Sequence, residues 1–531
     1  MTTISNKDQT ATDTQRPQGE PNKWWTLVAV CLGTFMLLLD ITIVNVALPD
    51  IQTSLHASFA DLQWVVDAYA LTLAALLLTS GSLADMYGRK LLYSIGLVVF
   101  TAASMFCGFA PDHLFLEISR AVQGVGGAIM FSVSLALLAD AFRGKDRGTA
   151  FGIWGGVTGI AVAIGPLLGG ALTSGISWRW IFFVNLPIGI AALALTATRV
   201  HESKAPVARR PDWPGFVTFT LALASLVYAL IESSERGFSS TRVIVCFIAA
   251  GVLLVAFLIV ERVGKHPMFD LALFRLPTFS GGLIAAFGIS ASIFSMFLYL
   301  TLFIQDVLRF TPFQTGVRLL IISGGILVTA TIAGRLTERV SVRWLIGPGL
   351  LLVGIGMLFM RGLTASSEWT HLIPGFIIVG IGIGLINPPL ASTAVGVVEP
   401  ARAGMASGIN STFRQVGIAT GIALLGTVFS SRTHDQVTSH LDKLPGAAGH
   451  SESIASALKS GDVGSAILQL PPQLRGEVAT IAKGAFTNGL NLILLIASII
   501  AIVCGISSLL LIRRKDFQQN RDAAQPQGAG H

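Results

Sequence analysis

A few polar side chains stand where an apolar chain has little room for them. Asp40 lies deep in Trp24–Pro49, a nearly uninterrupted apolar run of more than 20 residues. A carboxylate on a membrane helix costs about 2.5–3.5 kcal/mol on insertion scales, so it marks a pathway, a proton site or a packing pair. Arg120, Gln123, Gly124 and Gly127 recur at helical spacing and share one face of a second apolar run. From a rise of 1.5 Å per residue, Asp40, Arg120 and Asp67 lie roughly 10, 12 and 8 Å from the same end of their helices. An acid with an arginine at its own depth suits proton exchange, because burial and a nearby cation act in opposite senses on its proton affinity. Glu117, one turn from Arg120, offers a local ion pair as the alternative partner. Near the far end of the chain Asn410, Arg414, Gly417 and Gly421 share another face. Arg414 has no acid in its own run and needs a carboxylate, carbonyls or an anionic group, which fits gating or packing before substrate binding.

The elements that must position these groups are membrane helices. Of 531 residues 52% are hydrophobic and only 12% charged, where a soluble chain carries about 25% charge. Hydropathy predicts fourteen spans, at 24–46, 62–83, 91–110, 112–139, 149–172, 180–198, 214–232, 243–261, 279–304, 314–333, 343–362, 372–394, 404–430 and 485–512. With the N-terminus inside, the inner segments carry 23 Lys and Arg against 5 in the short outer loops. That asymmetry places both termini in the cytoplasm and the chain in the plasma membrane. The net charge of +7 is therefore a matter of topology, and no nucleic-acid partner is expected. The four cysteines lie in apolar runs with neither disulfide framework nor metal spacing. The first 22 residues are polar, with no apolar stretch of a signal peptide. No nucleophile–base–acid set, metal cluster or phosphate loop supports an enzyme, and no cofactor is expected.

The chain repeats itself. Gly81-Ser-Leu-Ala-Asp85-Met-Tyr-Gly88-Arg89-Lys90 returns 253 residues later as Gly334-Arg-Leu-Thr-Glu338-Arg-Val-Ser-Val-Arg343. The repeat implies two six-helix bundles with a site between them. The expected divisions are a tail 1–23, a first bundle 24–198, a linker 199–278 with two extra helices, a second bundle 279–512 and a tail 513–531. Within the second bundle, 431–484 is expected to be an extracytoplasmic cap or variable loop.

Several stretches resemble known motifs. Gly81–Lys90 resembles the signature loop of the major facilitator superfamily, and Leu116–Gly127 its Arg-x-x-Gln-Gly motif. Gly165-Pro166-Leu-Leu-Gly169-Gly170 resembles its antiporter motif, with Ala161 in place of one glycine. Leu39–Pro49, Ser177–Gly189 and Ala406–Gly417 are similar to the 14-helix drug:proton antiporter branch. The resemblance covers residues 24–512 and implies an all-α membrane protein working, as a monomer, as a proton-coupled exporter of small hydrophobic or cationic drugs. A dedicated exporter of one endogenous metabolite is the alternative. It further implies that Asp40, Asp67 and Arg120 couple protons, and that Gly81, Asp85, Gly88, Arg89 and Lys90 form a conformational latch. Arg89 and Lys90 are expected to bind acids such as Asp140. Asn45, Gln123, Asn410 and Arg414 are the substrate or gating candidates, and the proton gradient is the only energy source.

Overall fold

The computed structural model describes residues 23–517 apart from 58, 143–144, 204–211, 265–270, 338, 400–401 and most of 442–470. Among the described residues every regular element is helical. The order is α1 (Lys23–Leu55), α2 (Phe59–Tyr87), α3 (Arg89–Gly108), α4 (His113–Ala141), α5 (Lys145–Gly175), the single turn α6 (Trp180–Phe183) and α7 (Asn185–Arg199). Then come α8 (Trp213–Arg236), α9 (Thr241–Val263), α10 (Pro277–Leu302), α11 (Pro312–Leu336), α12 (Arg343–Phe359), α13 (Ile373–Gly396), α14 (Ala403–Leu441) and α15 (Pro472–Leu511). Among the described residues twelve helices are long and apolar enough to cross a membrane, and two shorter apolar segments, Pro277–Ile293 and Arg343–Phe359, occupy the places of the ninth and eleventh expected spans.

Packing sorts these helices into two sets. α1 packs on α5 and α7, α2 on α4, and α3 on α4 and α7. In the second set α10 packs on α14 and α15, α11 on α13, and α12 on α13 and α15. The sets meet along α2·α14 and α5·α11. α8 rests on α2 and α14 with α9 outside it, and most of the α9 surface is apolar and uncovered, as a helix facing lipid tails requires.

Glycines set the closeness of the two seams. A side chain at Gly81 would strike the Gly404 carbonyl, and one at Gly148 the Gly334 carbonyl. Gly81 and Gly334 are the first residues of the sequence repeat, so each copy docks its glycine on a helix of the other set. Small residues are what allow membrane helices this approach. Both contacts lie at the end of the bundles that carries Arg89, Lys145 and Arg343, called here the basic end. Arg147 adds a bond from its Nη2 to the Ser392 carbonyl at 3.3 Å.

Both described ends of the expected cap or loop 431–484 are helical, and most of 442–470 lies outside the described residues. α14 continues to Leu441 and α15 begins at Pro472, giving helices of 39 and 40 residues. At 1.5 Å per residue these are roughly 60 Å long, about twice the hydrocarbon layer. Val437, Leu441, Val478 and Ala482 are buried in one apolar cluster with the second bundle, and Asn488 Nδ2 donates to Gln436 Oε1 at 2.9 Å. The hydropathy profile missed these extensions because their polar outer faces lower the average while the inner stripe stays apolar.

Candidate proton-coupling site and interdomain latch

Asp40 is fully buried inside the first bundle, where α1, α3, α4 and α7 converge. Its Oδ2 receives Arg120 Nη1 at 2.5 Å, and its Oδ1 receives Gln123 Nε2 at 2.8 Å and Asn185 Nδ2 at 3.0 Å. Every partner donates, which is the arrangement a carboxylate needs and a neutral acid does not. Arg120 is held in turn by the Val65 carbonyl at 3.1 Å and Gln123 Oε1 at 2.8 Å. Its guanidinium carbon lies 4.2 Å from the centre of the Tyr69 ring, a cation–π contact. Asn185 Nδ2 also reaches Ser104 Oγ at 3.0 Å, and that hydroxyl donates to the Phe182 carbonyl at 2.9 Å. One negative and one positive charge are thus enclosed as a pair, Asp40 accepting three hydrogen bonds and Arg120 donating three, and mutual pairing of this kind is what makes buried charges tolerable.

The structure therefore brings Asp40 and Arg120 together and places Gln123 with them rather than at a surface open to substrate. Glu117, the alternative partner, turns instead to His113, whose Nδ1 lies 3.1 Å from Glu117 Oε1 and 3.7 Å from Asp61 Oδ1. These three are the one group with metal-type spacing among the described residues, and an imidazolium between two carboxylates accounts for them. Asp67 is half-buried and stands two residues past Val65, about 200° round the helix. It lies on the stripe with Trp64 and Leu71 that packs toward α8. Asn45 lies on α1, but its side chain falls outside the described residues.

Asn185 is the partner that residue reading passed over. It sits inside the quoted stretch Ser177–Gly189, and the signal was there: an amide in an apolar run demands a partner as Asp40 does. Ser104 and Tyr69 gave none, since serine and tyrosine occur in membrane helices without polar partners.

The antiporter motif touches the same helix. A side chain at Gly165 would collide with Thr42 Oγ1, and one at Gly169 would press Ile43, two and three residues after Asp40. Nothing lies within 4 Å of a side chain added at Gly170. Thr42 spends its hydroxyl on the Leu38 and Leu39 carbonyls at 3.1 Å. Pro166 lies inside α5, where it removes one ladder bond. We expect Gly165→Val to displace α1 from α5 and to lower the thermal stability of the purified protein by about 1–3 kcal/mol, the usual cost of overpacking. Gly170→Val is expected to leave stability and transport unchanged, and a differential melt of the two variants checks the contrast.

The second site is the signature loop. Asp85 ends α2, and its carboxylate accepts from the backbone N–H groups of Gly404 and Met405 at 3.0 and 2.9 Å. These N–H groups belong to the first turn of α14, so an anion from one set caps a helix of the other. Arg89 Nε and Nη2 hold the same carboxylate at 3.0 and 2.8 Å. Lys90 Nζ goes to the Ala197 carbonyl at 2.8 Å. Gly88 has φ 124°, a conformation that glycine adopts without strain. Glu202 was not foreseen. Its two oxygens accept from the N–H groups of Lys90 and Leu91, both at 3.0 Å, capping α3.

In the second bundle Arg414 Nη1 and Nη2 both reach Asn387 Oδ1 at 3.2 Å. Asn410 is buried and its Oδ1 has no partner. A separate, wholly apolar cavity of about 160 Å³ lies between α2, α8, α9 and α14, lined by Leu78, Phe219, Phe257 and Phe413 among others. It has room for a group the size of a benzene ring but not for a drug-sized molecule.

Comparison with known proteins agrees with this arrangement. The Multidrug resistance protein Stp of Mycobacterium tuberculosis is 36% identical over 479 residues, covering 89% of each chain. The Tetracenomycin C resistance and export protein of Streptomyces glaucescens is 31% identical over 491 residues, covering 92% of this chain and 90% of that one. A bacterial homologue of the human lysosomal transporter Spinster, solved inward-facing and unoccupied, superposes with a TM-score of 0.56 at 16% identity, over 95% of this chain and 99% of its own. The sequence profile described as Major Facilitator Superfamily matches residues 30–422, and with those relatives it shows that this multi-pass membrane chain belongs to the major facilitator superfamily.

Proposed function

We propose that the chain exports drug-like small molecules across the plasma membrane in exchange for protons, with Asp40 as the proton carrier. The enclosed Asp40–Arg120–Gln123–Asn185 cluster carries this reading, because a membrane protein has little other reason to place a charged pair at that depth. Export is the direction named for the relative in Streptomyces glaucescens, and the relative in Mycobacterium is named for multidrug resistance. In this reading the basic end faces the cytoplasm, α10 and α12 cross with the other twelve, and the molecule works as a monomer.

The cycle runs through contacts on the page. With Asp40 ionised, Arg120, Gln123 and Asn185 converge on it and tie α1 to α4 and α7. A proton arriving from outside neutralises Asp40 and weakens the charge-assisted bond to Arg120. The guanidinium keeps the Val65 carbonyl, Gln123 and the Tyr69 ring, while α1 is freed to move. Because Thr42 and Ile43 of α1 fit into Gly165 and Gly169 of α5, that shift is passed to the α5·α11 seam. The Asp85 cap on α14 holds the basic end closed, and its release exposes the site inward. One proton crossing 100 mV supplies about 2.3 kcal/mol, roughly a 50-fold concentration gradient. Gln123 orients Asp40 and Arg120, and Asp67 serves as a relay on the way in.

The name of the tetracenomycin relative, which couples resistance with export, favours a second reading, a dedicated exporter of one endogenous product. Inside-out vesicles test both. Uptake of ethidium and a panel of antibiotics should require an inward-acid gradient and collapse with an uncoupler. Gradient-independent uptake would overturn proton coupling, and uptake of a single compound would favour the dedicated exporter.

A further inference from the structure

We propose that Arg414, Asn387 and Asn410 form an anion-accepting subsite between the bundles, so that the cargo best held carries a carboxylate, enolate or phenolate. The inference rests on the transport reading above and specifies the cargo it takes. Three observations carry it. First, the guanidinium of Arg414 is met by an amide oxygen and by no carboxylate: both Nη atoms share Asn387 Oδ1 at 3.2 Å, and no acid of the described residues lies within ion-pair distance. A shared neutral oxygen leaves most of the five donors unused. Second, the amide of Asn410, one turn away on the same helical face, is buried with its oxygen unpartnered. That amide can turn to present either its oxygen or its N–H groups to a ligand. Third, charge is unbalanced here. Between residues 279 and 430 the acids are Asp306, Glu338, Glu368 and Glu399; of these, Asp306, Glu368 and Glu399 stand at helix ends or in loops and Glu338 lies outside the described residues, whereas Asp40 in the other bundle is already matched by Arg120.

The direction of the subsite follows from its neighbours. Arg414 stands seven residues past Ser407, on the same side of α14. Ser407 donates to the Ser132 carbonyl of α4 at 2.5 Å, so this face looks toward the first bundle and away from lipid. Asn387 precedes Pro388, which touches Gly155 of α5. Arg414 is roughly 15 Å outward of the Asp85 cap on Gly404, by ten residues of helical rise, which puts it near midmembrane and half-exposed. A cation so placed attracts a ligand anion, and two parallel N–H groups match a carboxylate's two oxygens.

The test is equilibrium binding to the full-length protein in lipid nanodiscs, with protein-free nanodiscs subtracted and no gradient imposed. The probes are 2-naphthoate, 2-naphthamide and 2-naphthamidine, one scaffold with charges of opposite sign and none. The wild type should bind the naphthoate about tenfold or more tightly than the amide, and the amidine weakest. Arg414→Gln should remove the preference for naphthoate while leaving the amide within about twofold. Asn387→Asp keeps the shape of the site and the arginine but supplies the missing carboxylate, and it too should abolish the preference. If Arg414→Gln does not fold, Asn387→Asp decides. A preference for the amidine, no binding of naphthoate, or a naphthoate preference that survives Asn387→Asp would overturn the proposal. Proton coupling is not read in this experiment, so that account stands or falls separately.

Discussion

Asp40→Asn is expected to abolish gradient-driven uptake into inside-out vesicles, a loss of at least about 100-fold if one proton-linked step is removed. It also leaves Arg120 buried without a counter-charge, and breaking one side of a buried pair destabilises by about 3–5 kcal/mol. Loss of transport alone would therefore not separate coupling from folding. The double variant Asp40→Asn with Arg120→Gln does. It removes both charges and keeps hydrogen-bonding amides of similar shape, so it should recover most of the melting temperature and none of the gradient-driven transport. Vesicle uptake alongside a thermal melt of the purified protein checks both arms. Transport restored together with stability would remove Asp40 from the cycle and reduce the cluster to packing.

The second large effect is expected at the other end of the bundle. Asp85 accepts four charge-assisted hydrogen bonds, two from Arg89 and two from N–H groups in the first turn of α14. Asn in its place keeps one oxygen and no charge. The closed arrangement should weaken by about 2–3 kcal/mol, a shift of roughly 30- to 150-fold toward the form open at the basic end. Ser407 is fully buried where α14 meets α4, so it reports on that opening. With Cys31, Cys107, Cys246 and Cys504 replaced, Ser407→Cys should react with a maleimide applied from the basic end many times faster in the Asp85→Asn background. An unchanged rate would mean that the Asp85 cap does not hold the seam.

The parts of this molecule that could be read from residues alone were those governed by membrane energetics. A charge inside an apolar run is costly wherever the chain puts it, so Asp40, Arg120 and Arg414 identified themselves before any contact was known. The depth arithmetic brought Asp40 and Arg120 to one layer because helical rise is nearly invariant. It could not say which way each side chain pointed, and Asp67 therefore shared a layer with the pair while lying on another face of α2. Asp85 was legible as part of the latch that the signature-loop resemblance implied, and the fold adds that it caps a helix of the other bundle. Its close partner Glu202 was not, because a single acid beyond the end of α7 carries no periodicity. The polar extensions of α14 and α15 escaped for a related reason. They are stabilised by one buried stripe, Val437, Leu441, Val478 and Ala482, and an average over the whole surface conceals a stripe.

The position of Asn387 in Ile386-Asn387-Pro388-Pro389 marks a polar group in an apolar helix, yet only the fold shows it beside Arg414 across two helices. That juxtaposition changes the expectation for cargo. The resemblance implied hydrophobic or cationic drugs, whereas Arg414, near midmembrane and met by an amide oxygen rather than an acid, favours an anionic group.

The most direct test of the central claim is proton release on binding. Purified protein in weakly buffered detergent, with a pH indicator present, is mixed with a transported drug found in the vesicle assay. If the charged form of Asp40 is the drug-accepting one, binding to protein equilibrated at acid pH should expel a proton from the wild type, and the signal should vanish in the Asp40→Asn, Arg120→Gln double variant. Proton release of undiminished size from that variant, while it still binds the drug, would contradict the account.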